Sequence, residues 1–368
     1  MEREVFVAGE PGMARWLVRS AVFVLGSIAV GATLLPLVRT DLWWIRTLDY
    51  PKWQVLVVCA GALVLWCLVA RPLRNWRLVP ALALAACCAY HAWRIAPFTP
   101  LWPLQVAEVE ADDDLRCVSV LFANVLMENG DKQAVADLIR DRRPDVVLLL
   151  ETDAAWVSAL EDLTAEFETA LLQPQQDHYG LMFLTNLKAR EAAIRTVVEP
   201  RIPSVRAELT LRSGDRFMFY GLHPEPPVMG NDTDERDAEL VLVARDVKRD
   251  AMPAIVGGDL NDVAWSHTTR LFKRISGLLD PRVGRGLYAT FPVGKPWFAW
   301  PLDHLFHTND FQLDRLEVLE SVGSDHYPVF ARICLTADSH AENARPEDRE
   351  GDDGREAEAI VEDGTDGE

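Results

Sequence analysis

Lysine is scarce in the acidic part of this chain. Between residues 106 and 335 it occurs only as Lys132, Lys188, Lys248, Lys273 and Lys295. Over all 368 residues, 37 basic side chains face 56 acidic ones, a formal net charge of -19. Proteins that hold duplex nucleic acid neutralise several phosphates with Lys and Arg, so this composition disfavours a general polyanion binder. A cysteine framework is also lacking. Cys59, Cys67, Cys87 and Cys88 lie in apolar runs, where thiols act as small hydrophobes. Only Cys117 and Cys334 fall outside those runs, and no pair has zinc-type spacing. The last 33 residues are rich in Asp, Glu and Gly and nearly free of large apolar side chains, which predicts a disordered acidic tail over 336–368.

Charge and hydropathy are segregated. Residues 1–105 carry a net of +5, residues 106–335 a net of -14 and residues 336–368 a net of -10. The basic part holds three apolar runs, at 20–38, 53–70 and 79–93. About 20 apolar residues span a bilayer, so residues 1–97 read as a membrane anchor with three transmembrane helices. A cleaved signal peptide is the rival for the first run, but it explains neither of the others. Trp43, Trp44, Tyr50 and Trp53 crowd the first connecting loop, as aromatics do at a membrane interface. With the N-terminus inside, Arg3, Arg15, Arg19, Arg71, Arg74 and Arg77 are cytoplasmic, against Arg39, Arg46, Lys52 and Arg94 outside. That bias has the expected direction. It predicts a multi-pass cell-membrane protein whose chain beyond about residue 97 lies outside the cytoplasm.

Residues 98–115 read as a linker, and 116–335 as a mixed α/β domain. Strands are expected at 118–125, 146–150, 181–185, 207–211, 217–222, 254–256, 304–307, 313–319 and 327–335, with helices at 132–140, 233–248 and 268–275. Short turns join several strands, so the sheets are not all parallel.

Polar residues recur at the ends of these strands: Asn124, Glu151, His223, Asp259 with Asn261, Asp303 with His304, and Ser324-Asp325-His326. One such residue is ordinarily a cap or a turn; six cases in one domain predict a shared site at one edge of a sheet. The stretch 255–262, Ile-Val-Gly-Gly-Asp-Leu-Asn-Asp, is the most telling. Its glycines permit a sharp turn and close approach of a ligand, and Asp259 and Asn261, two apart, share a face. A carboxylate beside an amide suits a water held against phosphorus. Glu151, helped by Asn124 and Asp325, offers the oxygen donors that Mg²⁺ takes, and His326 oriented by Asp303 fits a general base. His91, His178, His267, His304, His307 and His340 are read instead as hydrogen-bonded core or turn residues.

These blocks, above all Gly-Asp-Leu-Asn at 258–261 and Gly-Ser-Asp-His-Tyr-Pro-Val at 323–329, resemble the endonuclease/exonuclease/phosphatase superfamily, which has the fold of pancreatic-type deoxyribonuclease. The resemblance covers about 118–333, and the membrane runs before it are similar to a bacterial membrane-anchored branch. It implies a four-layer α/β sandwich of two packed mixed sheets flanked by helices. It also implies metal ligands at Glu151, Asn124 and Asp325, with Mg²⁺ or Mn²⁺ as cofactor. By the same likeness His326 pairs with Asp303, Asp259 and Asn261 position nucleophile and phosphate, His223 is the second histidine, and Tyr179 belongs to a substrate-binding block. Two departures stand out: the family's phosphate-contacting Arg is replaced where a strand ends in Thr185-Asn186, and its acidic residue after the first Asn is Leu126. The family fold brings Cys117 and Cys334 near each other; two buried free thiols are expected rather than a bridge.

The expectation is a membrane-anchored, metal-dependent phosphodiesterase. Its substrate is a lipid headgroup, a small phosphoester or nucleic acid, and no protein partner is implied. The alternatives are a nuclease, or a catalytically silent binding domain on the same fold. A transporter-like role has little support, because the apolar runs carry scarcely any charge. Residues 297–300, Trp-Phe-Ala-Trp, are expected as core or pocket wall rather than as a membrane-facing patch.

Overall fold

The computed structural model describes residues 11–71, 75–110 and 114–365. Arg3 and Arg74, counted above, lie outside the described residues, as do 111–113 of the expected linker and 366–368 of the expected tail. The chain divides into two units. One holds the residues up to Thr40 together with Pro51–Ala96; the other holds Asp41–Tyr50 together with Pro97–Glu368. Helices and strands are numbered along the chain.

The first unit contains α1 (Pro11–Leu34), α3 (Lys52–Val69) and α4 (Leu78–Ile95). Small residues Ala29, Cys59, Ala62 and Cys87 pack in its interior, while Phe23, Ile28, Val64 and Leu82 are exposed. Leu84 and Trp66 are buried with the small residues, so small and large apolar side chains both pack between the helices. Three helices, Arg15–Leu37, Lys52–Val69 and Leu78–Phe98, are long and apolar enough to cross a membrane. His91 keeps the structural role expected of it, meeting Thr33 Oγ1 at 2.9 Å.

The second unit opens with α2 (Trp43–Arg46). Its first sheet is built from β1 (Cys117–Asn124), β2 (Val146–Leu150), β3 (Thr169–Gln173), β4 (Leu181–Thr185), β10 (Phe311–Val318) and β11 (Val329–Leu335), in the order β10-β11-β1-β2-β4-β3. The second contains β5 (Lys188–Thr196), β6 (Pro203–Thr210), β7 (Arg216–Leu222), β8 (Ala254–Asp259) and β9 (Asp303–His307), in that order. Each sheet has one parallel pair at its centre, β1 with β2 and β7 with β8; the other pairings are antiparallel.

Period-two alternation sends one set of side chains from each sheet into a common core. Phe122, Leu148 and Phe183 from the first sheet meet Phe219, Ile255 and Leu305 from the second. The opposite faces carry helices. On the first sheet, Leu121, Ala123 and Leu149 pack against α5 (Lys132–Arg142), α6 (Ala154–Ala159) and α7 (Glu161–Thr164). On the second, Tyr220 and Val256 pack against α8 (Asp234–Asp250) and α9 (His267–Ser276). The result is the four-layer sandwich expected from the resemblance.

Several boundaries differ from the sequence reading. The residues read as a linker are partly domain: Val106 is buried, and Glu108 bridges to Leu313. The tail is not a disordered extension. It forms α10 (Ser339–Glu342) and α11 (Asp353–Thr365), with Ala357 buried against α8 and Ile360 and Val361 packed beside it. Those three positions form one apolar stripe at helical spacing. Arg274 of α9 anchors the stripe's start through a two-pronged bond to Asp353, at 2.8 Å on each arm. Cys117 and Cys334 sit opposite each other in register and form a disulfide, not the two free thiols expected.

Candidate active site

Topology explains why the strand-end residues meet. Parallel β1 and β2 both finish at one edge, where Asn124 ends β1 and Glu151 follows β2. Parallel β7 and β8 finish at an edge too, with His223 after β7 and Asp259 closing β8. β9 runs antiparallel to β8, so its first residue Asp303 pairs in register with Asp259. β11 runs antiparallel to β1, so the loop before it, carrying Ser324-Asp325-His326, arrives beside Asn124. Ser324 Oγ locks that loop by donating to Asn124 O at 2.7 Å and accepting from His326 N at 3.1 Å.

His326 is the hub. Its Nδ1 lies 2.8 Å from Asp303 Oδ2 and its Nε2 3.5 Å from Asp259 Oδ2. Burial alone would lower its pKa, but Asp303 and Asp259, with the Asp303 hydrogen bond and Asp325 nearby, raise it to about 10. Burial pushes Asp259 up to about 7 against the pull of the His326 cation. Asp303 is held below its ordinary value: burial opposes ionisation, and His326 overrides it. A carboxylate at each ring nitrogen favours the protonated form of the His326 imidazole. Phe291 covers the ring at 4.7 Å between centroids.

Asn124 links this group to Glu151. Its Nδ2 donates to Glu151 Oε1 at 2.7 Å and to Asp259 Oδ2 at 3.2 Å. Glu151 has φ +62°, a left-handed conformation that costs a non-glycine residue energy and gathers at functional sites. His223 Nε2 lies 3.9 Å from Asp259, and burial lowers its pKa to about 4, leaving the imidazole neutral. Its buried Nδ1 has no partner among the described residues. Tyr179 stacks beside His223 with ring centroids 5.6 Å apart. Asn261, at φ +49°, donates its backbone N–H to Asp259 Oδ1 at 3.0 Å and its Nδ2 to Pro224 O at 2.9 Å.

Not every expected residue joins. Asp325 is exposed and has no hydrogen bond to Glu151 or Asn124 among the described residues. The room beside Gly257 and Gly258 serves packing rather than a ligand: a Cβ on Gly257 would lie 2.3 Å from Phe122 Cζ, and one on Gly258 2.1 Å from Leu222 O. Residues 297–300 split, with Trp297 and Phe298 exposed and Trp300 edge-on to Tyr50 and tilted against Phe291.

Some residues escaped the sequence reading. His178, taken as a turn residue, sits with Nδ1 2.9 Å from Glu151 Oε2, and that bond raises its pKa. Its place beside Tyr179-Gly180 was the available signal. Arg201 lies over the Tyr179 ring at 5.4 Å and pairs with Glu225, so a guanidinium stands near the site although 185–186 carries none. Nothing local in the sequence marks it.

The donor set fits a hard divalent cation. Glu151 brings carboxylate oxygens, the ligand type Mg²⁺ and Mn²⁺ take; the Asn124 oxygen accepts from Leu126 N at 3.2 Å while the Asn124 Nδ2 faces Glu151. Asp259, Asp303 and His326 also bring one ligand-type atom each within 4.8 Å of one another. Both ring nitrogens of His326 are turned to carboxylates there, and both Glu151 oxygens are turned to Asn124 and His178; by ligand type the all-oxygen Glu151 carboxylate is the one that suits Mg²⁺.

The sequence profile of the Endonuclease/Exonuclease/phosphatase family matches residues 121–326. No curated protein matches the chain. Among solved structures, it is similar to an endonuclease/exonuclease/phosphatase family protein from Bacteroides thetaiotaomicron, with 17% identity and a TM-score of 0.50 over 61% of this chain and 97% of that one. It is similar also to the endonuclease/exonuclease/phosphatase from Bacteroides vulgatus, with 18% identity and a TM-score of 0.50 over 60% of this chain and 99% of that one. At these identities the structures speak to the fold alone, and they agree with the sandwich. With the profile spanning every strand-end residue from Asn124 to His326, the chain belongs to the Endonuclease/Exonuclease/phosphatase family.

Proposed function

We propose that the protein is a membrane-anchored, divalent-metal-dependent phosphoesterase that cleaves a small or lipid-borne phosphodiester. The observation that carries this reading is His326 held between Asp303 and Asp259, one hydrogen bond from the Asn124–Glu151 pair. Glu151, its carboxylate oriented by Asn124 Nδ2, would hold the cation, which would supply charge neutralisation at the phosphoryl oxygens. Asp259, lifted to about 7, takes a proton from the attacking water as its oxygen bonds phosphorus. His326 gives its proton to the ester oxygen as that P–O bond breaks. The 3.5 Å path from Asp259 to His326 returns the proton and restores the pair. Asn261 orients the phosphate, and neutral His223 supplies a hydrogen bond beside Tyr179.

Charge placement argues for the substrate class. α5 leaves the site edge after β1 and ends at the opposite edge, where β2 starts; α8 does the same between β7 and β8. The basic clusters Arg140-Arg142-Arg143 and Arg245-Lys248-Arg249 sit at those far ends, where Arg140, Arg142 and Arg249 pair with Glu166, Glu317 and Asp246. They offer no track for a nucleic-acid backbone at the site. The net charge of -14 over 106–335 also slows approach of a polyanion. An anchored enzyme meets membrane-bound substrates at high effective concentration.

The orientation belongs to the same proposal: N-terminus inside, three spans, catalytic unit outside. The Cys117–Cys334 bridge supports it, because disulfides persist in oxidising compartments. The test is kcat/KM at physiological salt for phospholipid vesicles, bis(4-nitrophenyl) phosphate, short oligonucleotides and plasmid DNA. The first two are expected to lead. A tenfold advantage for plasmid DNA would make the protein a nuclease.

A further inference from the structure

The segment between the first two apolar helices does not behave as a simple connector. Asp41–Tyr50 belongs to the same unit as the catalytic sheets. Asp41 O accepts from Thr233 N at 3.0 Å, at the start of α8. Trp43 N donates to Asp232 Oδ1 at 2.9 Å, and Asp49 O accepts from Trp265 Nε1 at 2.8 Å. Arg46 and Asp49, both buried, lie 3.7 Å apart within the segment.

Its last residue reaches the site. The buried Tyr50 hydroxyl donates to Asn261 O at 2.6 Å, and Arg236 Nη1 donates to the same oxygen at 2.9 Å. Asn261 is left-handed, a conformation that persists where its surroundings hold it, and two buried donors hold its carbonyl. The Tyr50 ring packs with Phe98 and Trp265 and meets Trp300 at 5.7 Å; Trp300 meets Phe291, which covers His326. Burial keeps the phenol protonated, as a donor must be.

We propose that Asp41–Tyr50 is a working part of the active site, and that Tyr50 is a positioning residue which holds Asn261, and through it the Asp259 carboxylate, in the geometry of reaction. Tyr50 touches no reacting atom; it acts through Asn261. The catalytic unit is therefore incomplete in any fragment that begins after the third apolar helix.

This inference rests on the phosphoesterase reading for its kinetic arm only. The experiment uses the full-length chain in detergent micelles with bis(4-nitrophenyl) phosphate and Mg²⁺. Tyr50→Phe removes one hydroxyl and leaves Arg236 on Asn261 O, so the fold holds. kcat is expected to fall at least fivefold with KM within twofold. In an Asn261→Ala background the same change is expected to cost less than twofold, since the group being held is gone. A fall of less than fivefold, or an equal fall in both backgrounds, overturns the proposal. Hydrogen exchange of the amides in 259–265 reads the brace without turnover: faster exchange is expected in Tyr50→Phe, and unchanged exchange overturns the proposal. A wild-type chain that hydrolyses no phosphoester would refute the proposed function, while the exchange measurement would still decide the role of Tyr50.

Discussion

In the proposed mechanism Asp259 and His326 divide the proton work between them, and their environments set the division. Burial lifts the carboxylic acid and two carboxylates hold the imidazolium. The sign follows: a base works when unprotonated, so kcat/KM rises as pH passes about 7, and an acid works when protonated, so it falls as pH passes about 10. The expected profile is a bell between those values; a rate still climbing beyond pH 11 would remove His326 as the acid. Asp259→Asn and His326→Ala are each expected to lower kcat on the order of 10² to 10⁴, the usual contribution of a positioned acid or base. A loss below tenfold in both would exclude them from the mechanism. Glu151→Gln is expected to abolish turnover and weaken Mg²⁺ binding in calorimetry with the circular dichroism spectrum retained. Turnover near wild type would show that Glu151 is not the principal ligand.

At the scale of elements, α8 carries a buried acid that the mechanism does not use. Burial lifts Glu239 to about 8, Arg195 opposes and Glu225 adds to the shift, and Oε1 has no partner among the described residues. The folded chain therefore holds this proton in a range where the unfolded chain has released it, and stability falls as pH climbs from about 4.5 to about 8. Glu239→Gln is expected to raise Tm more at pH 8.5 than at pH 5.5; equal shifts at both would refute the assignment. How legible such elements were depended on where their partners lie. Apolar strands such as β2 and β4, and the blocks ending in Asn124, Glu151, Asp259 and His326, could be read locally because each carries its own pattern. β5, Lys-Ala-Arg-Glu-Ala-Ala-Ile-Arg-Thr, is an edge strand whose alternation is hidden by charge. α11 was misread as disordered because its three apolar residues are few, and they count only once α8 and Arg274 are in place. Arg201 and Tyr50 reach the site from elsewhere in the chain, and nothing in their immediate neighbours says so; His178 had only its place beside Tyr179-Gly180 to mark it.

For the whole molecule, the Cys117–Cys334 bridge and the proposed anchored topology bear on one prediction, the outside orientation. The bridge closes a loop with a sequence separation of 217, and by chain entropy alone such a loop stabilises by as much as about 5 kcal/mol. Thiol labelling of the denatured, unreduced chain is expected to find four reactive cysteines, and six after reduction. Six before reduction would exclude the bridge. In intact spheroplasts, protease is expected to reach the catalytic unit; a unit shielded until lysis would overturn the outside orientation. A last consequence comes from the order of synthesis. Tyr50 is made 211 residues ahead of the Asn261 that it holds. In the three-span reading it crosses the membrane first, and two more helices must insert before its partner exists. On the role proposed for Tyr50, a chain whose first loop is misplaced would lack the brace on Asn261, so placement of that loop would come before a fully ordered site.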